Sequence, residues 1–290
     1  MAFFGVEIKH FRSHKYLRIR NKLFDLTEPK IIGIINCTPD SFFEDSRAMS
    51  PEEIVLSVEK MKNDGVDIID LGACSTRPGA ELISEEEELN RIIPALTLIK
   101  EKFPELIISI DTFRSNVAEQ VLLAGADIIN DVTGGDFDPE IWNVAAKFKA
   151  PYILMHARGN SKTMQDLNNY EHVSLEILLF LSEKIKKIKE SGIKDIIIDL
   201  GFGFAKNESQ NYQLIADLEL FDLLEFPILI GVSRKSMIYK RLNIPPEKAL
   251  NGTTILHTYA LSKNANFLRV HDVKEAVEIK TLLKLDRKLK

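Results

Sequence analysis

The sequence predicts an α/β protein built as a single (β/α)8 barrel with an N-terminal β-hairpin. Three observations carry that expectation. Eight short runs rich in Ile, Val and Leu recur along the 290 residues. Helical patterns fill the gaps between them, and no Gly/Ser-rich linker interrupts the alternation, so residues 1–290 read as one domain. Most of the runs end in polar residues, as expected where all strands aim their C-terminal ends at one site. The rival is a doubly wound open sheet, which the hydrophobic pattern alone does not exclude. The strand count and chain length favour the barrel.

The elements follow in order. Residues 5–12 and 16–24 alternate apolar and polar residues loosely around Ser13-His14-Lys15. They predict a hairpin placed to plug the bottom of a barrel. Strands are predicted at 31–35, 66–71, 106–111, 127–130, 151–155, 195–199, 227–232 and 266–270. Several are apolar throughout, as parallel strands covered on both faces should be. Ser50 and Glu53 form a capping box with Pro51 at the first helical position, ahead of Ile54, Val55, Val58 and Met61 at helical spacing. Ser84 and Glu87 repeat that pattern before a helix in which Pro94 should introduce a kink. Asp138-Pro139 opens a helix toward Phe148. Residues 172–191 form a long amphipathic helix stopped by Gly192. Further helices fit 208–224, 247–262 and 272–288, and Ser233-Arg234-Lys235-Ser236 opens one more.

Composition narrows the function. A chain with 45% hydrophobic and 28% charged residues is of ordinary globular make-up. Its formal net charge of -5 argues against a nucleic-acid surface and suggests no membrane partner. No apolar stretch approaches a membrane span, and the N-terminus lacks the basic start and apolar core of a signal peptide. The two cysteines, Cys37 and Cys74, neither form a metal array nor suggest a disulfide framework. The expected location is the cytoplasm.

The polar clusters then suggest chemistry. Taken singly, an Asp at a strand end is usually a helix N-cap. Asp111, Asn130 and Asp199, ending three different strands, are harder to dismiss. Carboxylates accept paired hydrogen bonds from a planar donor edge such as an aminopyrimidine. Gly201-Phe202-Gly203-Phe204-Ala205-Lys206 lacks the spacing of a dinucleotide fingerprint; it suits backbone approach to a flat ligand, with Phe204 as a stacking face. Lys235 lies where the helix after strand seven begins, and Arg269 and His271 follow strand eight, where barrels often bind phosphate. Arg234 reads equally well as a surface charge, and His271 also as a cap. Asn36, in the first loop, offers an amide oxygen that with phosphate oxygens could hold Mg2+. Phe42-Phe43 reads as core or as part of a lid, and Thr76-Arg77-Pro78-Gly79-Ala80 as a second long loop.

These clusters, in this order, resemble the dihydropteroate synthase family of pterin-binding enzymes. The resemblance runs from about Ile31 to Val273. It rests on Asn36-Cys37-Thr38-Pro39-Asp40-Ser41-Phe42, Ser75-Thr76-Arg77-Pro78-Gly79-Ala80, Asn130-Asp131-Val132, Met155-His156, Gly201-Phe202-Gly203-Phe204, Ser233-Arg234-Lys235-Ser236 and Arg269-Val270-His271-Asp272. It implies an enzyme that joins 4-aminobenzoate to 6-hydroxymethyl-7,8-dihydropterin diphosphate, giving 7,8-dihydropteroate and diphosphate. It implies Mg2+ as cofactor, sulfonamides as possible inhibitors, and a homodimer. By the same resemblance Asp111, Asn130, Met155, Asp199, Gly203, Phe204 and Lys235 surround the pterin. Arg269 lies over the pterin face and, with His271 and Asn36, holds the diphosphate, Asn36 being the metal ligand. Phe42, Thr76, Arg77, Pro78 and Ser236, with Phe204, frame the aminobenzoate. The catalytic group comprises Asp40, Lys235, Arg269 and His271.

The sequence departs from the family pattern at Cys37, at Ala73-Cys74, at Ala157 and at Leu200. None removes an assigned polar group. The neutral aromatic amine needs no strong general base, so the hard step is departure of diphosphate, by a dissociative displacement that Asp40 would stabilise electrostatically. Two rival readings share the fold: a methyltetrahydrofolate:corrinoid methyltransferase, which has no diphosphate to hold, and a non-catalytic pterin-binding protein.

Overall fold

The computed structural model describes residues 15–37, 50–73, 82–159, 163–164 and 166–288. Strands β1 (Tyr16–Ile19) and β2 (Lys22–Asp25) form an antiparallel hairpin. The next eight strands are β3 (Lys30–Asn36), β4 (Ile68–Gly72), β5 (Ile107–Asp111), β6 (Ile128–Asp131), β7 (Tyr152–Met155), β8 (Ile196–Asp199), β9 (Ile228–Ile230) and β10 (Phe267–Val270). They pair in parallel, each with the next, and β10 closes onto β3, so the expected barrel forms. The helices are α1 (Pro51–Asn63), α2 (Glu85–Lys102), α3 (Ser115–Leu123), α4 (Glu140–Phe148), α5 (Val173–Glu190), α6 (Glu208–Ala216), α7 (Ser236–Leu242), α8 (Leu250–Ser262) and α9 (Val273–Lys288).

Period-two alternation sorts each strand between two cores. Outward residues such as Ile31, Ile69, Ile108, Ile129 and Ile198 pack beneath the helices. Inward residues Ile32, Ile68, Ile128, Ile153, Ile197, Leu229 and Phe267 form one apolar layer inside the barrel. Leu17, Ile19 and Leu26 complete this layer from below, so the hairpin does plug the bottom. Above it, the same inward parity places Asp70, Ser109, Asn130, Asp199 and Arg269 on the axis. The polar mouth is therefore a direct continuation of the strand pattern.

The local rules explain most boundaries. Ser50 Oγ accepts from Glu53 N at 3.2 Å and Glu53 returns the bond to Ser50 N at 2.7 Å, so the capping box is formed. Pro94 lies within α2, which the structure carries as one helix from Glu85 to Lys102. Asp138 Oδ2 accepts from Ser115 N at 2.7 Å and so caps α3, a neighbouring helix, as well as leading into α4.

Three expectations are corrected. Residues 16–24 are not one strand. The chain turns at Arg20-Asn21, where both residues have positive φ, 51° and 59°, as a two-residue hairpin turn requires. Arg20 accepts that conformation because its side chain is fixed on Asp127 (Nε to Oδ1, 2.5 Å) and on the Pro104 carbonyl at 2.7 Å. Residues 5–12 lie outside the described residues. The helix expected at 208–224 ends at Ala216 and continues as a 3-10 turn over Leu218–Leu224, because Asp217 leaves helical geometry. The helix expected at 247–262 begins at Leu250, after a separate 3-10 turn at Pro246–Lys248.

Candidate active site at the barrel mouth

The C-terminal ends of β4, β5, β6, β8 and β10 place five polar side chains inside one another's reach. Asp70 on β4 has no solvent exposure. Its Oδ2 accepts from Arg269 Nε at 2.7 Å and from Asn130 Nδ2 at 3.0 Å. Arg269 also donates through Nη2 to Asp111 Oδ2 at 3.0 Å. The guanidinium thus bridges two carboxylates from adjacent strands. Burial pushes the Asp111 carboxyl up to about 7, against the pull of Arg269. Burial opposes the charge on Arg269 too, but Asp70 and Asp111 outweigh it and hold the guanidinium protonated above its ordinary value.

Asp199 ends β8 and its Oδ1 accepts from Gly201 N at 2.8 Å. Burial raises its carboxyl, with Lys235 acting in the opposite direction. Lys235 is the residue before α7. Its Nζ donates to the Phe202 carbonyl at 2.5 Å and stands 4.8 Å from the centre of the Phe204 ring. Burial pulls its ammonium down to about 8, against the attraction of Asp199. Asp199 and Lys235 approach over Gly231: a Cβ there would lie 3.7 Å from Asp199 Oδ2 and 3.9 Å from Lys235 Nζ.

The loop after β8 is shaped by Lys206, a fully enclosed lysine. Its Nζ donates to the carbonyls of Gly201 (2.8 Å) and Phe204 (3.0 Å) and lies 2.9 Å from His156 Nδ1. Burial drives its ammonium well below the ordinary lysine value. Burial likewise drives His156 well down, and Lys206 adds to the effect. Gly201 must be glycine: its φ is 66° and a Cβ would fall 1.9 Å from the His156 carbonyl oxygen. The result turns Phe202 into the core and leaves Phe204 half-buried beside Lys235. Gly203 N donates to Asn211 Oδ1 at 2.7 Å.

The rim carries the remaining groups. His271 is exposed at the end of β10. Its Nδ1 lies 3.1 Å from Ser233 Oγ, and Ser233 Oγ also accepts from His271 N at 3.2 Å. Ser236 begins α7. Asn36, the exposed last residue of β3, is in register with Gly72, which is in register with Asp111. Met155 is buried on an inward position of β7. Among the described residues no three His, Cys, Asp or Glu side chains gather to hold a metal.

The structure brings together Asn36, Asp111, Asn130, Met155, Asp199, Gly203, Phe204, Lys235, Ser236, Arg269 and His271 around one mouth. Asp40, Phe42, Thr76, Arg77 and Pro78 lie outside the described residues. Arg234 is half-buried and ion-paired. It sits at φ 53° and pairs with Asp272 through two bonds of 2.9 and 2.8 Å, tying the β9–α7 loop to the β10–α9 loop. Among the departures from the family pattern, Cys37, Ala73 and Leu200 are all buried and apolar in setting, and burial pushes the Cys37 thiol up to about 12.

Sequence reasoning missed Asp70, Ser109 and Lys206 as parts of the site. The signal for Asp70 was a lone charge at an inward position of an apolar strand, Ile68-Ile69-Asp70-Leu71. Ser109 stands two residues before Asp111 on the same face. Lys206 was within the glycine-rich motif, but only its depth shows that it holds the loop.

The family described as "Pterin binding enzyme" matches residues 32–271. The dihydropteroate synthase of Clostridium beijerinckii is 43% identical over 263 residues, covering 89% of this chain and 95% of that protein. The crystal structure of the Yersinia pestis dihydropteroate synthase in a sulfonamide drug complex superposes with a TM-score of 0.89 at 36% identity, covering 94% of this chain and 99% of the other. The Xanthomonas albilineans dihydropteroate synthase in complex with 7,8-dihydropteroate superposes with a TM-score of 0.81 at 32% identity, covering 91% and 96%.

Proposed function

The chain belongs to the pterin-binding enzyme family as a dihydropteroate synthase, and on that basis we propose how its residues serve the reaction. The enzyme is a transferase of folate biosynthesis. It condenses 6-hydroxymethyl-7,8-dihydropterin diphosphate with 4-aminobenzoate to 7,8-dihydropteroate and diphosphate. The observation that carries the assignment of the site is the convergence of Asp111, Asn130, Asp199 and Lys235 on one axial mouth, with Arg269 reaching across two of its carboxylates.

The pterin's aminopyrimidine edge is a row of donors and acceptors. Asp111 and Asp199 would take its donors, and Asn130 and Lys235 would meet its acceptors. Burial makes each contact strong and makes each loss expensive. Met155 and Phe204 supply apolar walls. Arg269 and His271 receive the diphosphate as charge builds on it. Ser233 helps to fix the His271 ring at the rim by its contact at Nδ1. Ser236, at the start of α7, meets the aminobenzoate carboxylate.

The donor set fits Mg2+ held mainly by substrate. Asn36 offers one amide oxygen at the rim, and Mg2+ favours few protein ligands together with phosphate oxygens and water. When bound, the ion supplies charge neutralisation to the leaving diphosphate. The aromatic amine is already neutral, so the residues are asked mainly to hold, orient and neutralise. This supports a dissociative displacement. Asp40, by family resemblance, would steady the positive charge on the pterin methylene, with Phe42, Thr76, Arg77 and Pro78 around the amine. Sulfonamides would compete at the aminobenzoate position. A homodimer in the cytoplasm completes the proposal; among the described residues no helix is long and apolar enough to cross a membrane.

The test is direct. Purified protein incubated with Mg2+, the pterin diphosphate and 4-aminobenzoate should release 7,8-dihydropteroate. Folded protein that forms none would sink the assignment. Sedimentation of the same sample checks the dimer.

A further inference from the structure

Asp70 has no role in the account so far, yet it is the most enclosed charge of the site. Its Oδ2 serves both Arg269 Nε and Asn130 Nδ2, while its Oδ1 is buried and has no partner among the described residues. The neighbouring Ser109 Oγ, in register with Asp70, is in the same condition. A buried carboxylate with one oxygen unused is costly unless another state of the molecule uses it. Arg269 meanwhile divides its fork, Nε on Asp70 and Nη2 on Asp111. Asp111 Oδ2 is therefore engaged by Arg269, although the pterin edge needs that carboxylate.

Resting on the reading of the mouth as the pterin site, we propose that Asp70 is a positioning residue on which Arg269 pivots: as the pterin enters, Nη2 leaves Asp111 Oδ2 for Asp70 Oδ1. The motion needs no new partner. Nε stays on Asp70 Oδ2, and the guanidinium closes side-on into a bidentate pair, the strongest geometry available to it. Asp111 is released to the heterocycle. The outer edge of the guanidinium, carrying Nη1, is then turned to the rim where the diphosphate arrives. Asp70 also keeps a negative charge beneath Arg269 when Asp111 is taken, so the arginine remains in the field of Asp70 and Asp199. Seating the heterocycle and presenting the diphosphate donor become one movement.

The experiment uses diphosphate-free 6-hydroxymethyl-7,8-dihydropterin as probe, measured by calorimetry. Asp70→Asn keeps the shape and the bond to Arg269 Nε but offers no second carboxylate oxygen, so Nη2 stays on Asp111. Its affinity for the probe should fall about tenfold relative to wild type, with an unchanged circular dichroism spectrum. In an Arg269→Gln background, where no arm occupies Asp111, the same substitution should cost less than about threefold. An equal cost in both backgrounds means that Asp70 acts on the fold and not through Arg269, and the proposal is overturned. No cost in either background overturns it as well. A second measurement covers an Asp70→Asn chain that does not fold. In a crystal structure of the wild-type protein with the probe, Arg269 Nη2 should lie within hydrogen-bond distance of Asp70 Oδ1; if it remains on Asp111 Oδ2, the pivot is wrong. Wild-type protein that fails to bind the probe at all would instead discredit the pterin site itself, a separate result.

Discussion

The two ends of the barrel solve the problem of buried charge in opposite ways. At the bottom, Asp127 accepts from Arg20, from Lys100 Nζ at 3.1 Å and from Ile108 N at 2.9 Å, and both its oxygens are engaged. At the mouth, Asp70 Oδ1 and Ser109 Oγ are left over, Asp111 and Asp199 carry raised carboxyl pKa values, and Lys235 a depressed one. The bottom is optimised for the folded chain. The mouth keeps hydrogen-bonding capacity that the folded chain itself does not use, as a binding site does.

The sharpest way to break this contrast is to remove a floor carboxylate. Asp199→Ala should lose at least ~10⁴-fold in pterin affinity, since a site built to hydrogen-bond its ligand is left with unpaired donors. Calorimetry checks it, and near-normal affinity would refute the assignment of Asp199. The mirror experiment is Asp127→Ala at the bottom. It takes the shared carboxylate away from Arg20 and Lys100, leaving them only the backbone carbonyls they already meet, and should cost about 1–3 kcal/mol in denaturant unfolding. Turnover per folded molecule should not change. If activity falls while stability holds, the division between the two ends is false.

Much of this contrast is legible in the amino-acid sequence. Alternation on Ile31–Ile35 and its seven counterparts decides which residues face the axis, because the side-chain period in a strand is two. Charged residues at the inward ends then locate the mouth. Contacts set by the whole fold cannot be read that way. Arg20-Asn21 forms a hairpin turn without the glycine that usually announces one. Arg20 is held there by Asp127, more than a hundred residues on. Asp70 reads as a plain strand residue until Arg269 and Asn130 converge on it in space. Arg234 stands in a motif that suggests phosphate as easily as a surface charge, and only the fold shows its pairing with Asp272.

Two smaller effects refine the comparison. Lys235 titrates near 8, so pterin affinity should decline above that pH, by up to about tenfold per unit as the ammonium donor is lost. Binding measured at several pH values tests this; a flat alkaline limb would remove Lys235 from the contact set. The smallest effect concerns stability. The folded-state carboxyl of Asp199 lies above its unfolded value, so the folded chain binds the extra proton in between. Stability attributable to Asp199 therefore falls as pH rises through that interval. Asp199→Asn removes the loss and should raise stability by ~0.5–2 kcal/mol at neutral pH and above, with no gain in acid. A thermal melt at two pH values decides it. A destabilised variant would mean that this end of the barrel is not strained.

The closure of β10 onto β3 has a consequence for how the chain is made. Phe267–Val270 completes a ring whose first strand, Lys30–Asn36, leaves the ribosome more than two hundred residues earlier. Until the last strand arrives, both β3 and β9 expose a free edge, and Leu17 and Ile19 have only part of the surface they will eventually cover. The hairpin is thus synthesised before the barrel strands that complete the layer it covers. A nascent chain halted before Phe267 should leave this segment more open to proteases than the finished chain does.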